Sequence, residues 1–245
     1  MITDYKRTYL SFSALKAYAK SPNHYIQYVT KPRRSEAMAF GSAFHVFCLE
    51  GTSEYNKHYV TAPVCDRRTK EGKAIFEEFS DQINGRDVIS ATDFSLLQTL
   101  RHNVEHNEVA RGLLDSATHI EYMREGIIEG VEFKGVADVV GDHWVADLKT
   151  VQDASPERFQ RDCYSMGYHM QAAIYRLLFG VDRFYWICVE KNAPHNVCVY
   201  QQSDRAARAA DQTLRSLIQD WKQWDGSPAS YANKAITLDL PRWAV

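Results

Sequence analysis

A stretch near the middle of the chain alternates between apolar and polar residues with a period of two, and this pattern constrains the fold most strongly. In the segment 131–139 the apolar residues of one predicted face are Val131, Phe133, Ala137 and Val139, and the polar residues of the other are Glu132, Lys134 and Asp138. Such alternation predicts a strand with one buried face. Gly141-Asp142 predicts a turn, so the residues from Trp144 to Thr150 are expected to return as the paired strand of a hairpin.

Helices are predicted on both sides of this hairpin. They cover 14–19 after a cap at Ser13, a segment starting near Tyr25, 38–50, a segment through Phe79, 92–115, 156–179 and 203–224. Two further strands are predicted at 184–190 and 197–201. This order predicts a single mixed α/β domain over 1–245, with 1–115 mainly helical and 116–245 forming the sheet and its flanking helices.

The composition is that of a globular chain and argues against several classes of protein. Of the 245 residues, 45% are hydrophobic and 24% are charged, which argues against disorder. No apolar run approaches the roughly 18 residues of a membrane helix, and the first residues lack the apolar core of a secretory signal. The five cysteines are scattered without a C-x-x-C pair, which argues against a disulfide framework or a zinc site. We therefore expect a cytoplasmic protein with no membrane partner.

The net charge of −2 by itself argues against a nucleic-acid partner, because phosphate binding needs an excess of Lys and Arg at the contact surface. The charge is unevenly distributed, however. Residues 1–50 carry seven basic and three acidic residues, a net of +4, whereas residues 101–150 carry five basic and ten acidic residues, a net of −5. An acidic block of this kind is either a solvated face or a metal site, and the spacing of its members decides between the two.

Three acidic residues and a lysine lie on the predicted strands at a spacing that suits metal chemistry. They are Glu121, Asp138, Asp147 and Lys149. Carboxylates on adjacent strands supply the hard oxygen ligands that Mg²⁺ prefers. The D-x-K spacing puts the lysine on the same strand face as the aspartate, where it can act on an attacking water and stabilise charge on a phosphate. A lone D-x-K triplet is common by chance, but together with Asp138 and the hairpin it predicts a metal site.

These residues resemble the PD-(D/E)XK nuclease superfamily, whose αβββαβ core carries its acidic and lysine positions on the second and third strands. Ala137 stands where the motif's proline would be. The chain is similar in particular to the nuclease domain of RecE-type exonucleases (exonuclease VIII). The matching stretches are Leu10–Ser13, Gly41–His45, Arg67–Thr69 with Gly72-Lys73, Asp138, Asp147–Thr150, Tyr168–Gln171 with Tyr175, and Leu240–Ala244. The resemblance implies a central mixed sheet flanked by helices, with an N-terminal helical extension.

The same resemblance implies an activity and its partners. The expected enzyme is an ATP-independent, Mg²⁺-dependent exonuclease that degrades one strand of linear double-stranded DNA from its 5′ end. It would leave 3′ single-stranded tails for annealing recombination. Mn²⁺ is the expected substitute for Mg²⁺, with one or two ions in each active site. The resemblance further implies a homo-oligomeric ring that encloses the duplex and a single-strand annealing partner of the RecT type.

Individual residues also receive roles from this resemblance. Asp138 and Asp147 would hold the metal, with the backbone carbonyl of Leu148 as a further ligand. Lys149 would act on the nucleophilic water. His45 would serve a second metal position through an imidazole nitrogen, although a histidine on a mostly apolar helix is otherwise typical of core packing.

Three further residues, Glu121, Gln171 and Tyr175, have both a structural and a functional interpretation. Glu121 is either a metal ligand through water or a strand residue. Tyr164, Tyr168, Gln171 and Tyr175 recur at i, i+4, i+7 and i+11, which predicts one helix face and is typical of packing. In the resembling family, Gln171 and Tyr175 form a Q-x-x-x-Y element beside the active site. Gln171 would hold Lys149 or the scissile phosphate, and Tyr175 would contact DNA.

Basic residues outside the acidic block are candidates for DNA contacts. Contacts that position the duplex without reading its sequence are predicted for Arg67, Arg68, Lys70 and Lys73. Candidates for the 5′ phosphate are Lys31, Arg33 and Arg34. The alternative interpretation of both groups is a solvated surface. His102 and His106 lack the glutamate of zinc proteases, so they are expected on exposed helix surface.

Two other functions stay open at this point. One is a repair or restriction-type endonuclease on the same core. The other is a catalytically silent DNA-binding module, although such a descendant would be expected to lose a carboxylate or the lysine, and all are present. Iron–sulfur nucleases of the superfamily are set aside, because Cys163, Cys188 and Cys198 do not form the tight group that a cluster needs.

Overall fold

The computed structural model of the protein is organised around a main sheet of six strands. It describes residues 6–7, 9–229, 235, 237 and 239, so the matching stretch Leu240–Ala244 lies outside the described residues. The strands are β1 (Tyr9–Leu10), β2 (Tyr59–Thr61), β3 (Asp87–Ile89), β4 (His119–Ile128), β5 (Val131–Gly141), β6 (Trp144–Val151), β7 (Arg183–Glu190) and β8 (Val197–Gln201). Strands β2 and β3 pair in a separate small sheet, and the other six form the main one.

Strand β5 is the centre of the main sheet. Along one edge it pairs with antiparallel β4. Its other edge is shared, because β1 pairs in parallel at Glu132 and Phe133 and β6 pairs antiparallel from Val139 to Gly141. Between these two partners, at 134–138, no described strand pairs with this edge. From β6 the sheet continues through parallel β7 to antiparallel β8.

The hairpin predicted from Gly141-Asp142 is confirmed. β5 ends at Gly141, β6 begins at Trp144, and His143 in the turn has a φ of 63°. Gly141 is needed for the close approach of the two strands, since a Cβ at this position would lie 2.1 Å from Cε2 of Trp144. The turn therefore fixes which residues of the two strands face each other.

Helices surround the sheet in the described part of the chain. They are α1 (Phe12–Lys20), α2 (Pro22–Thr30), α3 (Glu36–His45), α4 (Thr52–His58), α5 (Lys70–Gln82), α6 (Ala91–His106), α7 (Glu108–Asp115), α8 (Pro156–Ser165), α9 (Tyr168–Phe179) and α10 (Asp204–Gln223). A π-helical turn, Val46–Glu50, follows α3. The cap of α1 is Ser11, whose hydroxyl accepts the N–H of Ala14, and not the predicted Ser13. None of the helices in the described part of the chain combines the length and the apolar composition of a membrane span.

Two predicted helices are each divided into two. Asn107 ends α6 and caps α7 by accepting the N–H of Ala110. Gly167, with a φ of 73°, separates α8 from α9. The prediction of continuous helices over 92–115 and 156–179 is therefore wrong, because the apolar period continues across both breaks and hides them.

Helices cover both faces of the main sheet. The first face packs against α1, α9 and α10 through buried side chains such as Phe133, Ile174 and Trp221. The second face packs against α3 and α6 through buried side chains that include Phe44 and Leu100. Strands β6 and β7 are thus enclosed between two apolar layers, as expected for an α/β protein, whereas β4 is mostly exposed.

The alternation of β5 changes sides at Asp138. Ala137 packs in the first layer, but Val139 packs in the second, so the prediction that both share one face is wrong. The reason lies in the neighbouring strand, where Glu121 has a φ of 48°. The pairs Ile120–Val139 and Tyr122–Ala137 place Glu121 next to Asp138, and the distortion reorients both strands there.

We expect Gly135→Ala to destabilise the protein by about 1–3 kcal/mol, because an added methyl group would overpack the contact between β5 and α9. A Cβ at this position would lie 2.9 Å from Cε1 of Tyr175 and 3.3 Å from Cδ1 of Leu178. Urea denaturation measures the change. Gly112→Ala is the matched control, because a Cβ added there would meet no described atom within 4 Å beyond its chain neighbours and its own helix backbone, and alanine favours helix. Equal stability of the two variants would contradict the packing of α9 on β5.

Candidate active site

The sequence-predicted site residues Asp138, Leu148 and His45 meet at the unpaired edge of β5. The ladder between β5 and β6 ends at Val139 and Ala146. One residue further on, the Asp138 carboxylate accepts the N–H of Leu148 at 2.7 Å, so a side chain takes the place of a backbone acceptor. At the carbonyl end of the same residue, Nε2 of His45 lies 2.7 Å from the carbonyl oxygen of Leu148.

Three side chains form a compact group of possible metal ligands. One ligand atom from each of His45, Glu121 and Asp138 lies within 4.8 Å of the others. Nδ1 of His45 is 3.5 Å from an oxygen of Asp138 and 3.7 Å from an oxygen of Glu121. Each residue comes from a different element: His45 ends α3, Glu121 lies in β4 and Asp138 in β5. We call these three residues the acidic cluster.

The acidic cluster holds its charges in a buried environment. Asp138 is only 7% exposed, and burial raises the pKa of its carboxyl group to about 7, although His45 acts in the opposite direction. Burial alone would lower the pKa of His45, but the charge of Asp138 and the polar contact with Glu121 outweigh it and raise the pKa to about 9. A positive charge is therefore favoured at this point, as it is where proteins bind divalent cations.

Lys149 and Gln171 hold Asp147 beside the acidic cluster. Nζ of Lys149 lies 2.6 Å from Oδ2 of Asp147, and the amide of Gln171 donates to Oδ1 at 2.6 Å. Asp147 is 2% exposed and is not one of the three clustered ligands, but its carboxylate retains further lone pairs that could accept a cation. Its predicted role as a metal ligand therefore stays a prediction.

The environment of Lys149 favours its protonated form. Burial lowers the pKa of Lys149, but the charges of Asp147 and Asp138 outweigh burial, so the net shift is upward. The ring of Tyr168 contacts the ammonium group from another side, with Nζ 4.7 Å from the ring centroid. In this arrangement Lys149 is suited to stabilise negative charge rather than to abstract a proton.

The donor set fits a hard divalent cation. Glu121 and Asp138 offer carboxylate oxygens, Leu148 offers its carbonyl oxygen, and His45 offers an imidazole nitrogen. Oε1 of Glu121 is buried and has no hydrogen-bond partner among the described residues, and a bound cation would satisfy it. Oxygen ligands suit Mg²⁺ and Mn²⁺, and the imidazole adds affinity for the transition metal. Glu121, whose role the sequence left open, therefore belongs to the candidate metal site by position.

The helix break at Gly167 separates the tyrosines that were predicted to share one helix face. Tyr164 lies on α8 and is 79% exposed, whereas Gln171 and Tyr175 lie on α9 and are buried. The prediction of one common face is therefore wrong. Tyr175 is 8% exposed and packs against Phe179 and Phe184, and its DNA contact stays a prediction.

The basic candidates for DNA contacts are all exposed, but several have protein partners. The guanidinium of Arg67 lies over the Phe76 ring at 3.8 Å, and Arg68 pairs with Asp66 at 2.9 Å. Arg34 pairs with Asp87 at 2.6 Å. The remaining exposed candidates are Lys31, Arg33, Lys70 and Lys73. Their DNA contacts stay predictions, as the pairs on Arg34, Arg67 and Arg68 also fit a solvated surface.

Sequence reasoning missed one cation near Lys149. Nζ of Lys16, on α1, lies 6.0 Å from the centroid of the same Tyr168 ring. The spacing of residues around Lys16 contains no motif that would indicate this position. Only the packing of α1 beside α9 brings the two lysines to one tyrosine.

The comparison with family models identifies the relatives of this chain. A model described as a PDDEXK-like domain of unknown function (DUF3799) matches residues 11–228. The chain belongs to this PDDEXK-like family. The residues predicted from sequence to carry the acidic and lysine motif, Asp138, Asp147 and Lys149, lie within the matched range. No curated protein matches the sequence of this PDDEXK-like chain.

Solved structures resemble the PDDEXK-like chain at low sequence identity. A Eubacterium rectale protein described as an exonuclease is 13% identical, with 97% of this chain and 92% of the other covered and a TM-score of 0.61. A phage-related exonuclease from Haemophilus somnus 129PT is 16% identical, with 62% and 81% covered and a TM-score of 0.37. The alkaline exonuclease LHK-Exo from Laribacter hongkongensis is 15% identical, with 74% and 92% covered and a TM-score of 0.30. The first likeness shows a shared fold, and the predicted fold class is confirmed; the other two TM-scores are too low to carry an argument.

Proposed function

We propose that this PDDEXK-like chain is a Mg²⁺-dependent, ATP-independent exonuclease that degrades one strand of linear double-stranded DNA from its 5′ end. The observation that carries the proposal is the convergence of His45, Glu121 and Asp138 within 4.8 Å, next to the Asp147–Lys149 pair. Carboxylates for a metal beside a lysine for a phosphate are what metal-assisted phosphodiester hydrolysis requires. The narrower resemblance to RecE-type exonucleases supports the substrate and the polarity.

The acidic cluster and the Leu148 carbonyl would hold the cation, with Asp147 as a further ligand. When bound, the cation supplies a Lewis acid for the scissile phosphate and lowers the pKa of an attacking water. Lys149 stabilises negative charge that develops on the phosphate. Gln171 orients Asp147 through its amide, and Asp147 in turn fixes the position of the Lys149 ammonium group.

The proposal includes the wider biology implied by the resemblance. Mn²⁺ would substitute for Mg²⁺, with one or two ions in each site. The 3′ single-stranded tails would serve annealing recombination with a RecT-type partner, and a homo-oligomeric ring would keep the duplex enclosed between cuts. The Eubacterium rectale protein of the same fold is described as an exonuclease, which agrees with the proposed activity.

Digestion of end-labelled linear duplex with Mg²⁺ and without ATP tests the proposal. We expect loss of the 5′-labelled strand, survival of a 3′ tail, and no product when EDTA removes the metal. Comparing 5′-phosphate with 5′-hydroxyl ends tests recognition of the end. Covalently closed circular duplex is the control: prompt cutting of it would support the endonuclease alternative. Binding of ends without any hydrolysis would support the silent DNA-binding module.

A further inference from the structure

Two ammonium groups lie around the ring of Tyr168 at the edge of the candidate active site. Nζ of Lys149 is 4.7 Å and Nζ of Lys16 is 6.0 Å from the ring centroid. Nζ of Lys16 also lies 5.8 Å from the centroid of Phe12, so this ammonium group is near two aromatic rings and feels the charge of Lys149. One aromatic ring thus holds two cations that come from distant parts of the chain.

The two lysines differ in how their charges are balanced. Lys149 has the carboxylate of Asp147 at 2.6 Å. Within the part of the chain that the structure describes, no carboxylate forms an ion pair with Lys16. Burial lowers the pKa of Lys16, and the charges of Lys20 and Lys149 lower it further. A half-buried ammonium group among other cations is stabilised by an anion from outside the protein.

We propose that Lys16 binds a backbone phosphate of the substrate strand adjacent to the phosphate held at Lys149. The inference rests on the proposed nuclease function and adds a substrate-binding residue to it. Successive phosphates of one strand provide anions for both ammonium groups, and Tyr168 fixes the spacing between them. The competing explanation is that Lys16 only covers Phe12 and Tyr168 with its stem.

DNA binding as a function of salt separates these explanations. Lys16→Met keeps the apolar stem and removes the charge, Lys16→Arg keeps the charge, and Lys20→Met removes an exposed charge from the same helix. Fluorescence anisotropy of labelled duplex measures Kd at several salt concentrations. Ca²⁺ replaces Mg²⁺ under conditions shown to give no cleavage, and log Kd is plotted against the logarithm of the salt concentration. We expect the magnitude of the slope of log Kd against log salt to fall by about 0.9 for Lys16→Met, which corresponds to the loss of one phosphate contact. The slope should stay unchanged for Lys16→Arg and Lys20→Met.

Kinetics with Mg²⁺ provide the second measurement. Lys16→Met is expected to raise KM for linear duplex about tenfold, which corresponds to one lost ammonium–phosphate contact. If Lys16→Met does not fold, Lys16→Gln serves as the neutral variant. An unchanged slope and KM, or an equal change in Lys20→Met, would overturn the assignment of Lys16 while leaving the nuclease function intact. A wild-type protein that neither binds nor cuts DNA would overturn the proposed function itself.

Discussion

Lys149→Met is expected to reduce the single-turnover rate of linear duplex hydrolysis by about 10²- to 10³-fold, the range seen when one charge-stabilising donor is removed from a buried site. The ammonium group is held beside Asp147 and Tyr168, so no other described cation takes its exact place. The rate is measured with enzyme in excess over end-labelled duplex, which separates hydrolysis from product release. Lys134→Met, on the solvent side of β5, is the matched control and should hydrolyse at the wild-type rate.

Loss of activity in Lys149→Met must be distinguished from loss of the fold. The variant leaves Asp147 buried without its cation, and breaking a buried pair in this way costs about 3–5 kcal/mol. Thermal unfolding of Lys149→Met, and of the double variant with Asp147→Asn, measures this cost. We expect the double variant to recover stability without recovering hydrolysis. A folded Lys149→Met protein with a near wild-type rate would remove Lys149 from the mechanism.

Asp138→Asn is expected to weaken Mn²⁺ binding by at least about 100-fold, since even residues that only orient metal ligands contribute 10- to 100-fold. Asp138 supplies one of the three possible ligand atoms that lie within 4.8 Å of one another. Asparagine removes the charge of this side chain while keeping an oxygen. Hydrolysis of linear duplex should fall together with metal affinity. Isothermal titration calorimetry with Mn²⁺ measures the affinity without depending on activity.

The metal-free stability of Asp138→Asn gives an independent check. The side-chain oxygen of asparagine can still accept the N–H of Leu148, and removing the buried carboxylate offsets the loss of its contact with His45, so urea denaturation in EDTA should show little change in stability. Asp142→Asn, in the exposed turn of the hairpin, makes the same chemical change away from the cluster and should leave Mn²⁺ affinity unchanged. Wild-type Mn²⁺ affinity in Asp138→Asn would show that the acidic cluster is not the metal site.

The hairpin and its acidic residues could be predicted from sequence because they depend on local rules. A period of two, a two-residue turn and D-x-K spacing place Asp147 and Lys149 on one strand face, and the structure agrees. The switch of sides at Asp138 could not be predicted. It depends on the positive φ of Glu121 in another strand. A glutamate in a sequence gives no indication of this conformation, because residues other than glycine rarely adopt it.

The partners of the site residues depend on tertiary packing, which sequence spacing does not encode. The approach of His45 to Leu148 joins residues 103 positions apart, and only the resemblance suggested a role for this histidine. Lys16 lies outside the stretches that match the resembling family, so the sequence did not predict a role for it. Breaks at Asn107 and Gly167 were missed because capping interrupts a helix without interrupting its apolar period.

The hydrogen bond from the Leu148 N–H to the Asp138 carboxylate has a consequence for how such chains diverge. In a lineage that no longer needs catalysis, selection on metal binding would cease, but the buried amide of Leu148 would still need an acceptor. Position 138 would then drift mainly among residues that can accept this hydrogen bond, and Lys149 would be retained by its buried pair with Asp147, whereas Glu121 would be freer to vary. Retention of an aspartate at 138 or of a lysine at 149 is therefore weak evidence of activity in a distant homologue, and a carboxylate at 121 is stronger evidence.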